Sequence, residues 1–276
     1  MIVQNDYLDL HKTAESGQCF RMRETAPGCF TLIAGSRLLH LRTLAPGKTE
    51  FLCPDEEFWQ VWHRYFDLDT NYAFMEARVP ASDTYLSAAV SFGRGIRILR
   101  QDPWEMFVTF ILSQRRSIPA IKKSVETLCT RYGEQMHAAD GETYYAFPTA
   151  EALSGICEQE FRDCAVGYRA PYLCEAASLA ASGRLDLAAM AKASPAEWPD
   201  EAIVMTLECA SGVGPKVANC VLLFGFHRID AFPKDVWINR VIDTEYNGHF
   251  PVERYHGFAG VIQQYLFYYA RNGQKK

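Results

Sequence analysis

A chain of 276 residues that is 49% hydrophobic and 22% charged holds enough apolar material for a sizeable core and for two or three subdomains. No run approaches the ~18 consecutive apolar residues of a transmembrane helix, and the opening Met1 to Asp6 lacks the regions of a signal peptide, so an intracellular protein with no membrane partner is expected. The net charge of −5 argues mildly against nucleic acid, yet residues 94 to 131 carry eight Arg/Lys against three acids, and a basic strip on an acidic protein is enough for DNA contact.

In chain order, the first fifty residues read as strands. Gln18 to Arg23, Cys29 to Ala34 and Arg37 to Arg42 alternate partially with period two, and Pro27-Gly28 and Gly35-Ser36 separate them as hairpin turns would. From Pro54-Asp55 the pattern turns helical, with Phe58, Val61, Trp62 and Tyr65 on one face. Asp102-Pro103 reads as an N-cap with proline at the first helical position, followed by Trp104, Phe107, Phe110 and Ile111. Ile118, Ile121, Val125 and Leu128 form another apolar face, and further helices are expected from Pro148 or Thr149 and over 171–181. Asp200 is expected to cap a helix that runs to Leu207. The expected fold class is α+β and mostly α: an N-terminal antiparallel sheet over 1–80, then a helical part over 81–276 with a helix-hairpin-helix near 201–226.

The chemistry concentrates at Ser211-Gly212-Val213-Gly214-Pro215-Lys216 and Ala231-Phe232-Pro233-Lys234-Asp235, joined by the apolar stretch Val217 to Phe226. Glycines in a turn before a helix let backbone N–H groups meet a phosphate. The pattern is not a Walker A loop, which needs a Gly-Lys pair after four spacer residues, nor a dinucleotide fingerprint, because Val217 stands where a third glycine is needed. What remains is a helix-hairpin-helix clamp on the DNA backbone through Gly212, Val213 and Gly214. Lys216 offers an amine nucleophile, and Asp235 a carboxylate to take its proton or to stabilise positive charge on a sugar. Taken singly, Lys216 reads as a phosphate-binding lysine and Asp235 as a helix N-cap. Their joint spacing favours catalysis.

Leu207 to Arg240 closely resembles the helix-hairpin-helix and Gly/Pro-Asp region of the base-excision DNA glycosylases, with lysine after Gly-Pro as in their bifunctional, strand-cleaving type. Ser16-Gly17-Gln18-Cys19-Phe20-Arg21, Leu99-Arg100-Gln101-Asp102-Pro103, Gly167-Tyr168-Arg169-Ala170 and Gln263 to Phe267 resemble the 8-oxoguanine DNA glycosylase family, in order along nearly the whole chain. The resemblance implies a duplex DNA partner containing 8-oxoguanine, base flipping, and β-elimination through a Lys216 Schiff base. Gly17 would offer its carbonyl to the N7–H that oxidation adds to guanine, an edge that otherwise only accepts. Cys220 and Phe267 would sandwich the base, Gln263 would read its Watson–Crick edge, Tyr168 would fill the gap, and Arg169 would meet the opposite cytosine.

Three departures stand out. Arg115-Arg116-Ser117 replaces the consecutive asparagines of well-known members, Ala120 stands where they have an arginine for the opposite cytosine, and Trp237 replaces a phosphate-contacting histidine. Weaker discrimination of the opposite base is expected, with Arg115 a partial substitute. The nine cysteines are scattered without a C-x-x-C pair, and none follows Cys220, so a metal centre and the iron–sulfur loop of related repair enzymes are not expected. No organic cofactor is expected, and a cation could bridge hairpin carbonyls and a phosphate. A monomer is expected. The alternatives are a glycosylase for another damaged base and a non-catalytic helix-hairpin-helix DNA-binding protein.

Overall fold

β-branched, aromatic and leucine side chains at alternate positions favour a pleated layer with one buried face. In the computed structural model, which describes residues 1–139 and 141–273, that layer is a five-stranded antiparallel sheet. Strands β1 (Ile2–Gln4), β2 (Met22–Ala26), β3 (Cys29–Ala34), β4 (Arg37–Ala45) and β5 (Lys48–Leu52) lie in the order β1-β5-β4-β3-β2. The register pairs Phe30 with Leu41, Leu32 with Leu39 and Leu41 with Phe51, so one face carries the apolar row. That row packs against Phe58, Trp62, Phe66 and Leu99.

The strands expected at 29–34 and 37–42 are present, the latter extended to Ala45. The strand expected over Gln18 to Arg23 is displaced and begins only at Met22. Gly17 has φ +79°, which breaks an extended path, and the Gln18 side chain is drawn away to bond Arg97 O (2.8 Å) and Leu99 N (2.8 Å). The helical segment after Pro54 is interrupted by a π turn over Phe58–Trp62, which turns Phe58 and Trp62 into the sheet core.

The helices start where their caps dictate. Helix α1 (Leu10–Glu15) is capped by Asp9, and α2 (Thr84–Gly93) by Asp83. Asp102 accepts from Glu105 N (2.8 Å) at the start of α3 (Pro103–Leu112), as its sequence foretells. Helix α3 is buried from Glu105 to Leu112, far more than a one-sided helix. Around it stand α4 (Ile118–Tyr132), α5 (Ala170–Ala181), α6 (Asp200–Glu208), α7 (Pro215–Phe224), α8 (Val236–Glu245) and α9 (Ala259–Asn272). Asp200 is the first residue of α6 rather than its cap, which is Pro199; its carboxylate faces Arg228 Nε at 3.6 Å. Phe110 of α3 stacks on Phe224 of α7 at 5.4 Å, and a side chain at Gly225 would collide with Pro103, so the two helices cross at close range. No helix among the described residues is long and apolar enough to cross a membrane.

Two buried charges join these layers. Asp67 is 1% exposed; it accepts a forked pair from Arg100 (Nε 3.0 Å, Nη2 2.8 Å), and His227 Nε2 lies 3.5 Å from its other oxygen. Burial raises its pKa, but the hydrogen bond and charge of His227, with Thr70 and Arg100, outweigh this and hold it below the ordinary carboxylate value. A depressed folded pKa contributes stability that is complete above the unfolded value of about 3.9 and fades as pH falls below it. Asp67→Asn is therefore expected to cost about 3 kcal/mol near neutrality, the low end for a broken buried pair, and less toward pH 3, as read by denaturant titration. Glu105 has the opposite sign. Burial, opposed by Arg21 and aided by Asp102, raises its carboxyl to about 7. The cost of ionising it grows as pH rises from about 4.3 through that value. Glu105→Gln is expected to raise the melting temperature at pH 8 and to change it little at pH 5.

Candidate active site

A cavity of about 780 Å³ opens between the sheet-side segment at Gly17, the α3–α4 turn, the hairpin before α7, the start of α8, and α9. Its size is within the range of small-ligand sites and ample for one nucleoside. Lys216 and Asp235 both line it, as do Gly17, Gly212, Gly214, Arg115, Tyr168, Trp237 and Phe267.

Local chemistry places each. Gly212 has φ +77°, and a Cβ there would strike the Tyr172 ring at 2.4 Å, so the turn is closed to other residues. Its carbonyl accepts from Gln114 Nε2 (3.0 Å), which ties the hairpin to the α3–α4 turn. Gly214 precedes the helix with open space where a side chain would be, leaving room for an oxyanion at the positive end of α7. Pro215 takes the first helical position, where its missing N–H costs nothing, and Lys216 follows in the first turn. Its amine lies 3.4 Å from Ser113 Oγ and 5.6 Å from the centre of the Phe110 ring. Among the described residues it closes no ion pair, so the amine stays available to the cavity.

Asp235 is the N-cap of α8. Trp237 N (3.0 Å) and Ile238 N (2.9 Å) both donate to its Oδ1, which leaves Oδ2 outside the cap. Capping, one of the two tasks that its sequence position suggests, thus uses one oxygen of the carboxylate and leaves the other uncommitted to the cap. Burial raises its pKa; the N–H of Ile238, the charge of Lys216 and the N–H of Trp237 oppose this without cancelling it.

Opposite the Lys216–Asp235 pair, Gly17 approaches Phe267 and Ile118 so closely that a Cβ would lie 3.2 Å from each ring or methyl carbon. Cys220 and Gln263 sit one helical turn from Lys216 and Phe267, buried behind the lining. The Cys220 thiol is pushed up by burial and drawn back by the Lys216 amine. Gln263 Nε2 faces Pro233 O at 3.2 Å; a carbonyl only accepts, so the amide orientation is fixed. Among the described residues its Oε1 is buried and without a partner, an acceptor in need of a donor.

Two expected DNA contacts are placed differently. Val213 is packed into the core and its N–H donates to Ala210 O (3.1 Å), so the backbone donor expected at this position is already taken. Arg169 is only 5% exposed: its Nη1 donates to Val166 O (3.0 Å), its Nη2 to Gln114 O, and the guanidinium lies 4.3 Å from the Tyr168 ring. It braces the α3–α4 turn from within, while Tyr168, 48% exposed, reaches the cavity. Arg115 is exposed with φ +50°, held out at the turn. Ser113, Gln114, Ile118, Lys234 and Arg271 also line the cavity, and sequence reasoning did not single them out for it. Ser113 and Lys216 lie 103 positions apart with no spacing to connect them.

The chain matches the model of the 8-oxoguanine DNA glycosylase N-terminal domain over residues 1–107 and that of the HhH-GPD superfamily base excision DNA repair protein over residues 108–249. It belongs to the HhH-GPD base-excision repair superfamily. A probable N-glycosylase/DNA lyase of Methanothermobacter thermautotrophicus is 32% identical over 245 residues, 78% of this chain and 74% of that protein. The N-glycosylase/DNA lyase of Saccharomyces cerevisiae is 32% identical over 195 residues, 66% of this chain, which matches half the length of that protein. The solved structure of Clostridium acetobutylicum 8-oxoguanine glycosylase/lyase, in complex with duplex DNA containing cytosine opposite 8-oxoguanine, superposes with a TM-score of 0.87 at 33% identity, covering 97% of this chain and 93% of that one. Both the Gly212–Lys216 turn and Asp235 lie within residues 108–249, the span that matches the HhH-GPD model.

Asparagine caps a helix as well as aspartate does. Asp235→Asn is expected to leave the melting temperature nearly unchanged while lowering base release by about 10²-fold or more, the usual worth of a catalytic acid–base group. The raised pKa of Asp235 places its ionisation above the ordinary carboxylate value, so the acid limb of kcat/KM should fall away at a pH higher than 3.8. An acid limb that persists in Asp235→Asn would assign the limb to another group.

Proposed function

We infer that the protein is a bifunctional 8-oxoguanine DNA glycosylase with apurinic/apyrimidinic lyase activity. The observation that carries this is one cavity, with room for a nucleoside, lined together by a primary amine in no ion pair among the described residues, a half-buried carboxylate, a glycine and an aromatic ring. The hairpin glycines and the N-terminus of α7 clamp a phosphate of duplex DNA, and the lesion turns out of the stack into the cavity. Phe267 covers one face of the base, and Cys220, buried one helical turn behind Lys216, backs the wall on the other side. The Gly17 carbonyl accepts from N7–H, which 8-oxoguanine has and guanine lacks. The orphaned Oε1 of Gln263 suits a guanine-type edge, which presents N1–H and amino donors; an adenine edge would offer its N1 as a second acceptor.

The Lys216 nitrogen attacks C1′ as the bond from C1′ to the base breaks, and the base leaves with a proton. Asp235 stabilises the positive charge that develops on the sugar and takes the proton that the amine gives up. The sugar ring opens to a Schiff base between Lys216 and C1′. Removal of a C2′ proton then expels the 3′ phosphate and nicks the strand on that side of the lesion. No organic cofactor enters these steps. A cation at the hairpin would be held by its backbone carbonyls. The protein acts on DNA as a monomer inside the cell.

Opposite-base reading is the weak part of the site. Ala120 offers no donor, and Arg169 is buried with Nη1 and Nη2 bonded to backbone carbonyls, which leaves Arg115 as the exposed guanidinium at the turn. Labelled duplexes with 8-oxoguanine opposite C, A, G or T should therefore lose the base at rates within about tenfold of one another, the span of a single hydrogen bond. A strict preference for C would reject this reading of Arg115 and Arg169. Failure to release 8-oxoguanine opposite any base, with release of an alkylated purine instead, would reject the substrate.

A further inference from the structure

The backbone around Gly17 is held with unusual completeness. The carbonyls of Ala14 and Glu15, in the last turn of α1, lack helical partners and are taken by Lys122 Nζ of α4 (3.4 Å) and Arg271 Nη1 of α9 (3.1 Å). Gln264 Nε2, also from α9, donates to Ser16 O. Gln101 Nε2, just before α3, donates to Gln18 O (2.9 Å). The Gln18 side chain is itself bonded to Ser16 Oγ (3.0 Å), Arg97 O and Leu99 N. Both Gln264 and Gln101 are buried. Of the five carbonyls from Ala14 to Gln18, Gly17 O is thus the one that accepts no hydrogen bond among the described residues. Gly17 is also the residue of the five that lines the cavity.

We propose that Gln264 and Gln101 are positioning residues for lesion recognition: by fixing the peptide groups on either side of Gly17 they keep its carbonyl directed at the ring edge of the extruded base. This rests on the reading of Gly17 as the acceptor for N7–H. Gln264 lies beside Gln263 on α9, so one helix carries both a base reader and the strut for a second reader. The φ of +79° at Gly17 supplies the reason for a strut, because a glycine in that region is free to leave it. Gain in recognition depends on a hydrogen bond held to within a fraction of an ångström, and a loosened acceptor loses it. A bare abasic sugar presents no base edge, so the lyase step on preformed abasic DNA does not use Gly17 O.

The test compares Gln264→Met and Gln101→Met, which keep side-chain length and remove the donor. Single-turnover release of 8-oxoguanine opposite C and nicking of a duplex with a preformed abasic site are measured for each. Release should fall about tenfold, the worth of one hydrogen bond, with nicking within about twofold of the unaltered protein. Equal loss of both activities, or no loss of release in either variant, overturns the proposal. Should Gln264→Met fail to fold, Gln101→Met carries the test alone, since it releases the other side of Gly17. Release by the unaltered protein is the separate check on the underlying reading: its absence would overturn the substrate assignment, and the proposal with it.

Discussion

One carboxylate has to do two things at once here, and the site depends on it. Asp235 Oδ1 accepts the first N–H groups of α8, while Oδ2 is left outside the cap, on a residue that lines the Lys216 cavity. An N-cap is among the most rigid placements a short acidic side chain can have, because two backbone donors and the helix dipole hold it together. A catalytic carboxylate needs the same rigidity, since stabilisation of developing charge counts only when the group is already in place. The cap therefore fixes the carboxylate, which is what the role proposed for it requires.

The rest of the molecule brings distant segments to the cavity that Asp235 lines. Lys216 arrives on a hairpin whose glycine turn is packed against Tyr172 and tied by Gln114 to the α3–α4 turn. The central helix α3 is buried along nearly all of its length and stacks on α7 through Phe110 and Phe224. Its Ser113 lies within hydrogen-bond range of the amine, and Phe110 supplies an apolar wall. Gly17 comes from the junction of α1 and the sheet, and Phe267 from α9 at the end of the chain. Five stretches meet at one cavity, and each is held by hydrogen bonds or ring packing rather than by mobile loops.

Much of this was legible in the sequence, for definite reasons. Asp102-Pro103 announced α3 because a cap and a proline satisfy the same end of a helix. The hairpin was legible because Gly212, Gly214, Pro215 and Lys216 are a conjunction that few other structures need, and its distance from Asp235 matched one helix and one turn. What escaped was set by tertiary contact. Strands β1 and β5 are three and five residues long and gain their order only by pairing with each other and with β4. Gln18 to Phe20 alternates like a strand, yet Gln18 is spent on long-range bonds to Arg97 and Leu99. Arg169 reads as a surface arginine, and only the fold shows carbonyls of Val166 and Gln114 waiting for it. Ser113 and Arg271 enter the cavity lining by proximity alone, which no spacing rule encodes.

The claim on which everything else turns is that the Lys216 nitrogen becomes bonded to the sugar. A second lysine, Lys234, lines the same cavity one residue before the carboxylate, so the identity of the nucleophile is a real question of geometry. Borohydride reduction of the protein on duplex DNA containing 8-oxoguanine, followed by proteolysis and mass measurement of the DNA-linked peptide, answers it. The adduct is predicted on the peptide that contains Lys216. An adduct on Lys234, or no covalent adduct while base is released, would contradict the account.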